Sequence, residues 1–143
     1  MARRSTGPAI VTTGKSQRGF TLIELLIVVT LIVVLAGIGM STYSTSVTRA
    51  KEAVLRENLF RMRDSIDQYY ADKGSYPPDL ASLVTSGYLR QIPKDPFTES
   101  ADTWQTVMSE PDPSAPTAAP GVYDVKSGAE GVALDGTPYS DWQ

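Results

Sequence analysis

Residues 20–40 read FTLIELLIVVTLIVVLAGIGM, and only Thr21, Glu24 and Thr30 interrupt the apolar run. As a helix rising 1.5 Å per residue, a stretch of this length spans roughly 30 Å, about one hydrocarbon core. A helix that is apolar on every side belongs in lipid or among like helices, because it satisfies its own backbone and has no polar face for water. The flank before it carries Arg3, Arg4, Lys15 and Arg18 and no acid. That bias holds the N-terminus in the cytoplasm and places the remainder across the membrane. The run exceeds the apolar region of an ordinary secretory signal, and no convincing small-x-small cleavage site follows it. A plain signal anchor is the simpler alternative.

Glu24 is the exception inside the run. A carboxylate at mid-span costs about 2.5–3.5 kcal/mol, less toward the end of the segment, and calls for a partner. No Lys or Arg lies within residues 20–40. Cleavage between Gly19 and Phe20 would create one: an α-amino group with a reference pKa of about 7.7–8, largely protonated at neutral pH. It would stand four positions before Glu24, one helical turn away. The pair can form within one subunit or between neighbours.

The stretch 15–24, KSQRGFTLIE, resembles the type III leader and cleavage site of type IV pilins and type II secretion pseudopilins. The resemblance implies a leader of residues 1–19, removed by a prepilin peptidase that cuts after Gly19 and N-methylates Phe20. It implies that the hydrophobic helix is retained and that Glu24 serves subunit assembly. It also implies a pilin-like α+β fold and a homo-polymer drawn from the bacterial inner membrane by an assembly ATPase and a platform protein. Minor pilins or pseudopilins would accompany it, and the body of the chain would lie in the periplasm or in an extracellular filament.

Beyond residue 40 the apolar pattern becomes one-sided. Val47, Ala50, Val54, Leu55, Leu59, Met62, Ile66, Tyr69 and Tyr70 fall near a 3.6-residue period. Charges occupy the other faces, with Glu52/Arg56 and Glu57/Arg61 at i, i+4 spacing. No proline interrupts residues 20–76, and Gly74 supplies a stop. The pattern predicts one continuous helix to residue 73, with 20–40 as the membrane and assembly segment and 41–73 as its amphipathic continuation. Gly37 and Gly39 weaken it by about 1 kcal/mol each in water, whereas membrane helices tolerate glycine and use it for close approach. In the resembled family this region melts locally on assembly. Many relatives have a proline just beyond, where this chain has Ser41 or a neighbour.

Residues 74–143 are read as a small globular domain. GSYPP at 74–78 is a turn, 79–84 a short helix, and 87–97 an irregular segment punctuated by prolines. Residues 104–108 and 122–126 read as strands, and 110–120 as an exposed loop with four prolines. Two strands alone are marginal, so both are expected to be buried on the helical stripe, forming a small antiparallel sheet. The order of Tyr-Pro step, short helix, Gly-Tyr-Leu and Pro-Lys-Asp-Pro-aromatic over 76–97 resembles the major pseudopilin of type II secretion. The tail is rich in glycine and acids. Glu130, Asp135 and Asp141 read either as a solvated acidic loop or as Ca²⁺ ligands joined by backbone carbonyls. Major pseudopilins resemble this tail, with a calcium-binding loop ending near tryptophan. Glu130 stands where their aspartate does.

Composition narrows the function. The chain has no histidine and no cysteine, so the commonest general base, the commonest zinc ligands and thiol nucleophiles are missing; composition leaves serine–lysine chemistry open, but no recognisable motif supports it. Residues 1–19 carry +4; removing this from the whole-chain −3 leaves −7 for the remainder. An acidic body lacks the Lys/Arg surface that nucleic acid demands. The expectation is a structural subunit of a pseudopilus or type IV pilus-like filament, most fitting for type II secretion. It needs no cofactor, except Ca²⁺ if the tail binds it. The alternative is a minor pilin or membrane-anchored adhesion module.

Overall fold

The computed structural model describes residues 19–111, 113–114 and 119–143, with the single positions Gly7 and Ala9. The leader cations Arg3, Arg4, Lys15 and Arg18, and part of the proline-rich loop, lie outside the described residues. Along the chain come α1 (Leu22–Lys73), α2 (Leu80–Thr85), β1 (Gln105–Met108), β2 (Val122–Lys126) and a 3-10 turn at Tyr139–Asp141. The chain divides into two compact units, Met1–Met40 and Ser41–Gln143. The first holds the apolar start of α1; the packed core lies in the second. The class is α+β, a long N-terminal helix with a small antiparallel sheet.

Within the second unit, α1 buries Leu55, Leu59, Met62 and Ile66, spaced by four, three and four residues. That spacing keeps them on one stripe. Each fully buried aliphatic side chain contributes about 1.5–3 kcal/mol, so this stripe is the main attachment of α1 to its domain. Leu80 and Leu83 of α2, Trp104, Val122 and Val125 of β2, and Tyr139 and Trp142 of the tail close the same cluster. The stripe is narrower than the periodicity predicted. Val47, Ala50, Val54 and Tyr70 are exposed. Residues every three or four positions exceed the width that one small domain can cover.

The helix ends follow local rules. Gly74 (φ 70°) donates its N–H to Tyr70 O at 2.8 Å, a left-handed cap on α1. Asp79 caps α2: its Oδ1 accepts from Ser82 N–H at 2.7 Å and Ser82 Oγ–H at 2.6 Å. These bonds, the hydroxyl first, hold the Asp79 carboxyl below its ordinary pKa. At the other end Tyr88 N–H reaches Leu83 O and Gly87 N–H reaches Val84 O, with Gly87 at φ 82°. That pattern is a Schellman close.

The sheet has two strands, paired antiparallel from Gln105↔Lys126 to Met108↔Val122 with an irregularity between Val107 and Met108. Only β2 enters the core, through Val122 and Val125. The expectation that both strands would be buried on the helix is corrected here: all four residues of β1 are exposed. β2 can lie close because it is flanked by glycines. A Cβ at Gly121 would fall 2.5 Å from Tyr76 O, and one at Gly128 would fall 2.0 Å from Thr103 O.

Candidate assembly helix and C-terminal clasp

α1 opens at Leu22, and Thr21 is its N-cap. Thr21 Oγ1 accepts the Glu24 N–H at 3.2 Å, and Thr21 O accepts from Leu25 N–H at 3.1 Å. Glu24 is thus the third residue of the helix, so Thr21-x-x-Glu24 has the sequence of a capping box. Glu24 also sits in the first turn, where the helix dipole favours a negative charge. The capping role of Thr21 is a signal in the T-x-x-E spacing that the sequence reading passed over. Gly19 and Phe20 precede the helix, and both are exposed. The peptide bond between them is therefore free of helical hydrogen bonding. Past Glu24, α1 is long and apolar enough to cross a membrane, with none of its most apolar window buried. Among the described residues, a Cβ added at Gly37 or Gly39 would meet nothing within 4 Å.

The second unit contains a buried carboxylate that sequence reasoning placed on the surface. The i, i+4 spacing pairs Glu52 with Arg56; instead Glu52 is buried, and its Oε1 accepts from Leu134 N–H at 2.7 Å and Tyr139 O–H at 3.2 Å. Arg56 lies 4.5 Å from the Trp142 ring centroid, a cation–π contact. The expected Glu57–Arg61 pair forms at 2.7 Å. The Tyr139 ring stacks on Phe97 at 4.2 Å and meets Trp142 edge-on at 5.3 Å. Burial, then the bond to Glu52, pushes the Tyr139 hydroxyl above its ordinary pKa. Arg63 completes the clasp. It pairs with Asp124 at 2.7 Å and donates to Val125 O and Trp142 O at 2.9 and 2.8 Å, joining α1, β2 and the C-terminal residues.

Glu130, Asp135 and Asp141 are all exposed. Asp135 Oδ1 accepts from Thr137 N–H and Oγ–H at 2.9 and 2.6 Å, which lowers its pKa, the hydroxyl bond contributing most. Asp141 Oδ1 accepts from Ser140 at 3.3 Å. Among the described residues no three such side chains form a group that could hold a metal ion. As arranged, these three carboxylates are not gathered into one group.

Residues 14–40 match the family model described as the prokaryotic N-terminal methylation motif. The chain is 33% identical to fimbrial protein EcpC of Eikenella corrodens, over 53% of this chain and 53% of that protein. It is 26% identical to type II secretion system core protein G of Klebsiella michiganensis, over 58% of this chain and 70% of that one. With core protein G of Pectobacterium carotovorum the identity is 28%, over 59% and 64%. The chain is pilin-like. It spans about half the length of the fimbrial relative it matches. No solved structure matches it. None of these relatives is named as an enzyme. The apolar helix and the methylation motif fit a membrane-anchored pilin-like chain, and Gly19, Phe20 and Glu24 fall inside the matched residues.

Proposed function

We propose that this pilin-like chain is a filament subunit, cut between Gly19 and Phe20, methylated on the new Phe20 nitrogen, and polymerised through α1. The carrying observation is Glu24: the single charged side chain of residues 20–40, in the first turn of α1, four positions after Phe20. Before cleavage it has no cation in its segment. After cleavage it has one, in its own chain or in a neighbour's. Low-dielectric surroundings strengthen that attraction, so helices are drawn together with the charges matched. Apolar faces that lipid had covered then pack against each other.

The unprocessed chain sits in the bacterial inner membrane with the leader cytoplasmic, on the strength of its four cations. It calls for a prepilin peptidase, an assembly ATPase with its platform protein, and minor pilin-like subunits; it requires no nucleic acid and no cofactor. Secretion is the favoured use, because several relatives are named as type II secretion system core protein G. The fimbrial relative supports a pilus as the second reading. Abundance in sheared filaments and neighbouring secretion or retraction genes separate them. The test is Glu24→Ala: the variant inserts and is processed normally, yet assembles poorly. Filaments of normal yield from that variant, or a mature chain whose mass still includes Met1, would overturn the proposal.

A further inference from the structure

Residues 41–51, STYSTSVTRAK, follow directly on the apolar run. From Leu25 to Lys51 there is no acid, and the stretch ends on two cations, Arg49 and Lys51. Residues 20–143 carry −7; setting aside Glu24, Arg49 and Lys51 leaves residues 52–143 at −8. A small basic collar therefore stands between an apolar span and an acidic body. Neither cation forms an ion pair among the described residues, where the pairs are Arg61–Glu57 and Arg63–Asp124. Glu52 and the loop it holds bring three carboxylates to this part of α1. Glu52 is buried and bonded to Leu134 and Tyr139. Asp135 is bonded to Thr137 and lines the same hollow as Arg56. Glu130 is exposed on the same loop. None of the three lies within ion-pairing distance of Arg49 or Lys51.

The hydroxyls of the collar are satisfied inside the helix. Ser44 and Thr45 donate to Ser41 O at 3.0 and 3.3 Å, Ser46 to Thr42 O at 2.9 Å, and Thr48 to Ser44 O at 3.2 Å. A polar group that is already bonded costs little to move out of bulk water. Tyr43 is 73% exposed. Side chains of this kind gather at the headgroup level of a bilayer, ring toward the apolar side and hydroxyl toward water. From Ser41 to Arg49 is eight helical residues, about 12 Å, against a headgroup layer of about 5–8 Å. Helical side chains lean toward the N-terminus of their helix, so the long stems of Arg49 and Lys51 carry their charges back toward that layer. Each cation at an acidic lipid surface is worth about fivefold in association.

Resting on the membrane-anchored reading above, we propose that residues 41–51 are a binding collar for acidic phospholipid headgroups. Arg49 and Lys51 hold headgroup phosphates, while Tyr43 and the bonded hydroxyls occupy the headgroup layer. The acidic body is repelled by the same surface, so the collar fixes the depth at which the unassembled chain sits. Leaving the membrane for a filament then requires release of these lipids, and the acidic-lipid content of the membrane sets how hard that release is.

The chain has no cysteine, so Ser41→Cys in the full-length chain takes a single fluorophore. The labelled protein is reconstituted into phosphatidylcholine vesicles containing a small fraction of nitroxide lipid, either phosphatidylglycerol or phosphatidylcholine, labelled near the headgroup end of one acyl chain. The acidic lipid is expected to reach half-quenching at about one-fifth, or less, of the mole fraction that the neutral lipid needs. Arg49→Gln with Lys51→Gln brings the two lipids level, whereas the swap Arg49→Lys with Lys51→Arg keeps the preference. Three results would overturn the collar and leave membrane anchoring and the filament function standing: equal quenching by both lipids in the parent, a preference that survives the double glutamine variant, or its loss in the swap. No quenching by either lipid would put residue 41 away from the bilayer and overturn the anchored reading as well.

Discussion

Replacing Glu52 by alanine removes the acceptor for two donors at once, the Leu134 N–H at 2.7 Å and the Tyr139 O–H at 3.2 Å. Hydrogen bonds to a charged group are worth about 1.5–3 kcal/mol each, and a buried donor left without a partner costs about 1–3 kcal/mol. The two donors are not equal. Tyr139 is buried, so its hydroxyl stays unsatisfied, whereas Leu134 is half-exposed and water can reach its amide. Removing the carboxylate also relieves the cost of holding a charge out of water with no cation bonded to it. These opposing terms leave a net loss of about 2–3 kcal/mol. For a unit of this size that lowers Tm by roughly 10–20 °C. Tryptophan fluorescence reports the change directly, because Trp142 packs on Tyr139. Glu52→Gln keeps a carbonyl acceptor and should lose less than about half as much. A Glu52→Ala variant melting within about 2 °C of wild type would refute the claim that this carboxylate closes the C-terminal loop.

Three further outcomes follow from the same geometry. Gly128→Ala puts a Cβ 2.0 Å from the Thr103 carbonyl oxygen. Backbone rather than a flexible side chain has to move, so a loss of about 1–3 kcal/mol by urea unfolding is expected, and an unchanged midpoint would contradict it. The raised Tyr139 pKa favours the neutral phenol in the folded state. Its contribution is complete below the unfolded value of about 10 and is lost as pH rises through the higher folded value. Melting scans from pH 8 to 11 should show a falling alkaline limb that flattens in Tyr139→Phe; an identical limb in that variant would remove Tyr139 as its source. With Glu130, Asp135 and Asp141 not gathered into one group, EDTA and millimolar Ca²⁺ should leave Tm unchanged. A rise of several degrees with Ca²⁺ would put a cation among Glu130, Asp135 and Asp141 after all.

The amino-acid sequence alone determined what depends on neighbours along the chain. The span and its lone acid were legible because hydropathy and a missing countercharge need no tertiary partner. The short helix at 80–85 and the strand at 122–126 were legible for the same reason: caps, turns and alternation act over a few residues. Thr21 belonged to this class too, since its capping bond spans three residues. Glu52 did not. At i, i+4 from Arg56 it reads as a surface ion pair, and only a loop 82 residues away makes it a buried acceptor. Arg63 likewise gathers partners 61 to 79 residues distant. Tertiary structure also decided which strand is covered, because a single helix stripe has room for β2 and leaves β1 in water. Periodicity identifies a face that can be buried; how much of it is covered depends on the volume that the remainder of the chain brings to it.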